Sequence, residues 1–387
     1  MLRWRLRLRT LSRSAAPELR APVFAYLVSF LVLGLSVSIL GPALSELRDR
    51  SGTDLGGIGV LFVGQAFGYI LGSFLGGRLY DRFDGHRVYG GSLAVLALGL
   101  VVLPSLTSLS TLFVIFVLIG VGAATVDVGA NTLLIWELGA DVGRPMNILH
   151  LCFGVGALSA PLVVYAGFDI AAYLASGLCI GVALLVMRAK APLAPTDVEQ
   201  EHTTTSRPML ALLAGFFCLY VGLEVGFAGW IHTYGEEIEF SALAATWLTT
   251  AFWVGFTGGR VLASALGQRV RPKSILAASC SLTLVAAGVL VVGDGRAAPV
   301  WTGAVLMGLA TAPQFPAMFT YLERRIRVTG RATAWFVGGA GLGGLVFPWL
   351  IGQWFDVSGP SVLPWSMLIL GVLTLASFAA SNRALGG

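Results

Sequence analysis

Twelve stretches of this chain stay apolar for about 20 residues or more, the length an α-helix needs to cross hydrocarbon. They lie near 23–47, 56–79, 86–106, 111–137, 145–166 and 168–187, then near 208–234, 242–266, 274–293, 298–321, 331–355 and 361–382. None alternates apolar and polar residues as the strands of an outer-membrane barrel do. Lipid offers no hydrogen bonds, so each run must satisfy its own backbone and is expected to be helical. Composition agrees: 56% of residues are hydrophobic and only 12% charged, about half the charged share of a soluble domain. That excludes a soluble enzyme or a disordered chain. The net charge of +5 is too mild and scattered for a nucleic-acid partner.

One longer polar segment, 188–207, separates six runs from six. The expected organisation is a basic tail at 1–22, a six-helix bundle at 23–187, a linker at 188–207, a second bundle at 208–382 and a short tail at 383–387. Every Lys and Arg except Arg48, Arg50 and Arg296 falls on one side: in the tails, the linker, or in and beside the loops after even-numbered runs. The positive-inside rule places those segments, and both termini, in the cytoplasm. The Arg-rich start, MLRWRLRLRTLSRS, reads as a tail on anionic lipid, with an organelle transit peptide as the alternative. Cys152, Cys179, Cys218 and Cys280 lie inside apolar runs and suggest neither disulfide nor zinc site. No metal or other cofactor is expected, and no nucleophile–base set points to an enzyme.

The halves repeat each other. Gly77-Arg78, Gly85 and Arg87 recur at constant spacing as Gly259-Arg260, Gly267 and Arg269. Gly143-Arg144, Gly154, Pro161 and Phe168-Asp169 recur as Gly330-Arg331, Gly341, Pro348 and Phe355-Asp356. Six crossings return each copy to the same side, so the repeats are parallel. The expected fold is an all-α membrane protein: twelve transmembrane helices in two pseudo-symmetric six-helix bundles, with a site between them near mid-membrane. Glycine faces at Gly68, Gly72 and Gly76, and at Gly339 and Gly343, suit close helix packing.

Ionisable groups at bilayer depth cost several kcal/mol unless they face a partner or water. Asp127 and Glu224 lie well inside their runs, and Asn131 follows Asp127 by one helical turn. Counting 1.5 Å per residue puts His150 at the height of Asp127, so a contact between them is expected. Gln314 occupies the repeat position of Asp127, between Pro313 and Pro316. The two acids read either as proton-exchanging groups or as hydrogen-bonded helix glue. Trp230 reads as an aromatic platform for a sugar or as packing, and Glu236, Glu237 and Glu239 as solvated loop residues.

The segment from Gly77 to Arg87, with its Asp81-Arg82 pair and one extra residue, Asp84, resembles the loop signature of the major facilitator superfamily. That resemblance implies a cytoplasmic latch formed by Asp81, Arg82 and Arg87. Asp127-Val128-Gly129-Ala130-Asn131, Met146-Asn147-Ile148-Leu149-His150 and Phe153-Gly154-Val155-Gly156-Ala157 resemble the fucose permease branch, the sugar:proton symporters. The branch's acid in the first span falls on Ser38 here, and its fifth-span amides on His150 and Phe153. The resemblance implies alternating access with proton-coupled uptake of a sugar or similar small polar solute. Asp127, Asn131, Asn147, His150, Gln314 and Trp230 would meet the solute, and Asp127 and Glu224 the proton. The expected setting is a bacterial-type inner membrane, the expected state a monomer. Two other readings stand: proton-driven efflux of amphipathic compounds, which fits the missing first-span acid, and a sensor or scaffold without flux.

Overall fold

The computed structural model describes residues 21–193, 206–267, 269–326 and 330–386. Most of the basic tail and of the central linker lie outside the described residues. Every expected apolar run coincides with one helix or a broken pair. The first run is α1 (Ala21–Val37) and α2 (Leu44–Ser51), and the second is a single turn, α3 (Leu55–Ile58), leading into α4 (Val60–Arg82). Next come α5 (Gly85–Val102), α6 (Leu109–Leu138), α7 (Gly143–Ala166) and α8 (Phe168–Met187). The second half holds α9 (Arg207–Glu237), α10 (Ala242–Leu266), α11 (Pro272–Gly293), the pair α12 (Ala297–Thr311) and α13 (Gln314–Glu323), α14 (Gly330–Ser358) and α15 (Val362–Ala384). Among the described residues, 9 segments are long and apolar enough to cross a membrane, and Ala21–Val37 is a shorter apolar helix. The other two runs fall short for visible reasons. Thr, Trp and Arg260 dilute α10, and Pro313 divides α12 from α13, since proline cannot continue the hydrogen-bond ladder.

The break in the first run exposes a helix end that needs a partner. Gln65 of α4 supplies it, donating Nε2–H to the Val37 carbonyl at 3.2 Å. At the start of α5 the extra loop residue Asp84 is the N-cap: its carboxylate accepts the Arg87 N–H at 3.0 Å.

The repeat extends to packing. In the first bundle α1 packs on α7 and α4 on α6; in the second, α9 packs on α14 and α10 on α12. Glycine allows the approach. A Cβ on Gly156 would lie 1.9 Å from the Leu31 carbonyl oxygen, and one on its repeat mate Gly343 would lie 1.9 Å from that of Cys218. The obstacle is backbone in both cases, so the helices themselves would have to separate. Gly156→Ala is expected to cost about 1–3 kcal/mol and to lower the melting temperature of the purified protein. Gly177→Ala, whose new methyl would enter open space, serves as the silent control.

The bundles meet along two seams, α4 with α14 and α7 with α10. They are also tied at the end remote from Ala21 and Ala384, here called the far end. Asp356 of α14 accepts the Gly56 N–H at 2.6 Å and the Leu55 N–H at 3.2 Å. Gln353 donates to the Gly56 carbonyl at 2.7 Å. Ser45 donates to Glu236 Oε2 at 2.5 Å, and Arg48 lies 3.9 Å from Glu237. Glu236, expected to be solvated, is therefore part of the closure. The repeat mate of Asp356, Asp169, stays within its own bundle and accepts from Arg50 at 3.0 Å. Burial pulls the Arg50 guanidinium down, but its bonds to Glu46 and Asp169 outweigh this and hold it above its ordinary value.

Candidate functional site

Asp127 sits on the face of α6 that packs against α4. The approach is close because Gly120 carries no side chain: a Cβ there would lie 2.2 Å from the Gln65 carbonyl oxygen. Tyr69, one turn beyond Gln65, thereby reaches the acid, and its hydroxyl donates to Asp127 Oδ2. Asn131 donates Nδ2–H to Asp127 Oδ1 at 2.9 Å, and also to the Asp127 carbonyl at 2.9 Å. Both carboxylate oxygens thus have donors, yet the residue is only half-buried.

The expected contact of Asp127 with His150 does not form. The imidazole stands edge-on to Phe30, with ring centroids 5.6 Å apart and planes at 77°. Residue counting matches their heights but cannot supply the azimuth, and nearer donors on α4 and α6 occupy the carboxylate. In the second bundle, Glu224 of α9 accepts from the Tyr220 hydroxyl one turn earlier. Tyr220 is fixed by stacking on Phe216 at 6.4 Å and 11°.

A third charge joins these acids. Arg260 lies inside α10, its guanidinium carbon 4.8 Å from the centre of the Phe256 ring. Among the described residues it forms no ion pair within 4.0 Å. Its Nε is buried without a hydrogen-bond partner among the described residues, and so is Thr257 Oγ1 one turn earlier. The repeat with Arg78 places Arg260 among the loop cations. Arg78 is indeed exposed near the end of α4, whereas Arg260 points into the interior. The signal for it is present in the sequence: a charged residue inside the apolar run 242–266 satisfies the criterion that singles out Asp127.

The other candidates are placed differently. Gln314 is 1% exposed and faces α11: its amide donates to Thr283 Oγ1 at 2.9 Å and to the Ala310 carbonyl at 3.2 Å. Its Oε1 accepts from Cys280 Sγ at 3.7 Å. It stitches the α12–α13 break to α11 and is not brought to the two acids. Trp230 is fully buried at the far end. Its indole donates to the Pro348 carbonyl at 2.8 Å, stacks on Phe355 at 5.2 Å, and meets Phe62 of the other bundle at 5.8 Å. No indole face is free to receive a solute in this conformation. Asn147 is exposed at the start of α7 and has no side-chain partner among the described residues. Asp81 and Arg82 are exposed and unpartnered on the same terms, and the Arg87 side chain is exposed.

Residues 26–348 match the family model described as Major Facilitator Superfamily. The chain belongs to this superfamily. It is accordingly a multi-pass integral membrane transporter and not an enzyme. Sodium-dependent glucose transporter 1A of Mus musculus is 28% identical over 372 residues, spanning 84% of this chain and 87% of that one. Sodium-dependent glucose transporter 1 of Danio rerio is 28% identical over 375 residues, spanning 85% of this chain and 63% of the relative. Among solved structures, a point mutant of the nucleoside transporter NupG superposes with a TM-score of 0.78 at 16% identity, covering 95% of this chain and 100% of that one. A bacterial homologue of the human lysosomal transporter Spinster, inward-facing and occupied, gives a TM-score of 0.74 at 12% identity, covering 93% of this chain and 96% of the other. At those identities the two structures establish the shared fold.

Proposed function

We propose that this superfamily member imports a neutral, polyhydroxylated solute of the sugar class, driven by a coupled monovalent cation. The observation that carries the reading is the Asp127 cluster: a half-buried acid at bilayer depth, its two carboxylate oxygens held by Tyr69 and Asn131. Sugar hydroxyls both donate and accept, and this set offers a carboxylate acceptor beside amide and phenol groups. The relatives named as glucose transporters support the same solute class. The coupled cation is a proton carried on Asp127. Sodium is the second reading, favoured by the sodium dependence in those relatives' names.

Lys and Arg placement supports cytoplasmic termini and an outward far end, and the setting of this reading is a bacterial-type inner membrane. The conformation is then closed to the outside, with Asp81 and Arg82 available to latch the cytoplasmic side when the bundles rock back. The carrier works as a monomer, with two bundles enclosing one site.

The test uses purified protein in proteoliposomes with an imposed inward gradient of protons or, separately, of sodium. Labelled hexose should accumulate against its own gradient under one of the two, and an ionophore for that ion should abolish the effect. Export of amphipathic cations without hexose flux would overturn the reading in favour of an efflux pump. Absence of flux for every solute would overturn it in favour of a sensor.

A further inference from the structure

The seam between α7 and α10 is not filled on its membrane side. Thr257 of α10 packs against Gly154 of α7, where a Cβ would lie 2.5 Å from the threonine Oγ1. A groove of about 530 Å³ runs beside that contact. Leu158 of the first bundle forms one wall, and Val254, Gly258, Val261, Leu262 and Ala265 of the second form the other. The α10 residues recur at helical spacing and share one face. Val254, Val261 and Leu262 are half-exposed, and a Cβ on Gly258 would meet nothing within 4 Å. All six lie inside expected crossing runs, so they face hydrocarbon rather than water.

Two features identify the occupant. The first is length. From Val254 to Ala265 the helix rises about 16 Å at 1.5 Å per residue, which is one leaflet, or half of the ~30 Å hydrocarbon core. The second is the charge at the lower end. Arg269, Arg271 and Lys273 follow α10 directly, are exposed, and form no ion pair within 4.0 Å among the described residues. The Leu266 carbonyl accepts both the Arg269 and the Val270 N–H at 2.8 Å, which holds this loop under the last turn of α10. The chain carries no acid between Glu239 and Asp294, so this segment offers its own cations no carboxylate. On the orientation proposed above, the loop meets the cytoplasmic leaflet, whose surface is negative.

We propose that the groove seats one anionic phospholipid of that leaflet. An acyl chain lies along α10 from Ala265 to Val254, and the headgroup phosphate rests on Arg269, Arg271 and Lys273, whose donors suit its oxygens. A lipid placed there touches both bundles across the seam, through Leu158 and through α10. The inference depends on neither the transported solute nor the coupled cation.

The test is native mass spectrometry of the purified full chain, stripped of lipid in detergent and titrated with phosphatidylglycerol or with phosphatidylcholine of the same acyl chains. Wild type should retain one phosphatidylglycerol, bound at least tenfold more tightly than phosphatidylcholine. The triple variant Arg269→Gln, Arg271→Gln, Lys273→Gln should lose that preference. Gly258→Phe, which fills the groove, should weaken both lipids at least tenfold. Gly181→Phe should leave binding unchanged, because it also places its ring in open space but on α8. Inorganic phosphate at the same concentration should not displace the lipid. Equal retention of the two lipids, full binding in Gly258→Phe, or displacement by phosphate overturns the proposal. So would a lipid-independent dimer that Gly258→Phe dissociates, since the groove would then belong to a second copy of the chain. No solute or ion gradient enters these measurements, so their failure leaves the transport reading standing.

Discussion

Asp127→Asn is expected to reduce gradient-driven accumulation of hexose at least a hundredfold, while exchange of labelled for unlabelled sugar across the membrane continues. Asparagine keeps the shape of the side chain, and its carbonyl oxygen still accepts from Tyr69 or Asn131, so the fold survives. What is lost is the charge. Losing the charge that the coupled cation neutralises is worth about 3 kcal/mol, roughly two powers of ten. Without that charge the site resembles its own cation-loaded form and can carry sugar in either direction without a cation. The measurement is the initial rate of labelled hexose uptake under an imposed cation gradient, compared with counterflow in the same vesicles. A variant that concentrates sugar as wild type does would remove Asp127 from the coupling step.

The double variant Asp356→Ala with Gln353→Ala is expected to release the far end. These side chains make three hydrogen bonds to the backbone of Leu55 and Gly56 in the other bundle. Both positions are partly open to solvent, so the bonds together are worth about 2 kcal/mol rather than their full buried value. That moves the ratio of far-end-closed to far-end-open molecules by roughly thirtyfold. Labels placed on the loops of α2 and α14 would report the change as a longer distance distribution. Unchanged distances would mean that the aromatic contacts of Trp230 with Phe62 and Phe355 hold the closure without them.

The apolar runs are legible because hydrocarbon imposes a length and forbids polar backbone, so each run reappears as helix. The duplication is legible too, and it extends to the Gly156 and Gly343 contacts. The same duplication misleads at two side chains. It equates Arg260 with Arg78, but an offset in sequence does not record which way a helix faces, and α10 turns this residue inward. It equates Gln314 with Asp127, but the break at Pro313 rotates the helix beyond it, and the amide is held by Thr283 and Ala310. For His150 the direction is not the expected one, since rise per residue fixes height alone. Trp230 packs between the bundles, and nothing in a linear reading distinguishes a stacking platform from a plug at the seam.

The bonds that close the far end share a chemical character. Asp356 and Glu236 take their hydrogen bonds from amides and a hydroxyl, and Gln353 gives one to a carbonyl. Among the described residues, the long Arg48–Glu237 contact is the salt bridge that joins the bundles there, and the shorter bonds are of the other kind. Dissolved salt weakens attraction between opposite charges and leaves short ion–dipole bonds nearly unaltered. The far-end closure is therefore built to stay shut alike in fresh and in saline surroundings.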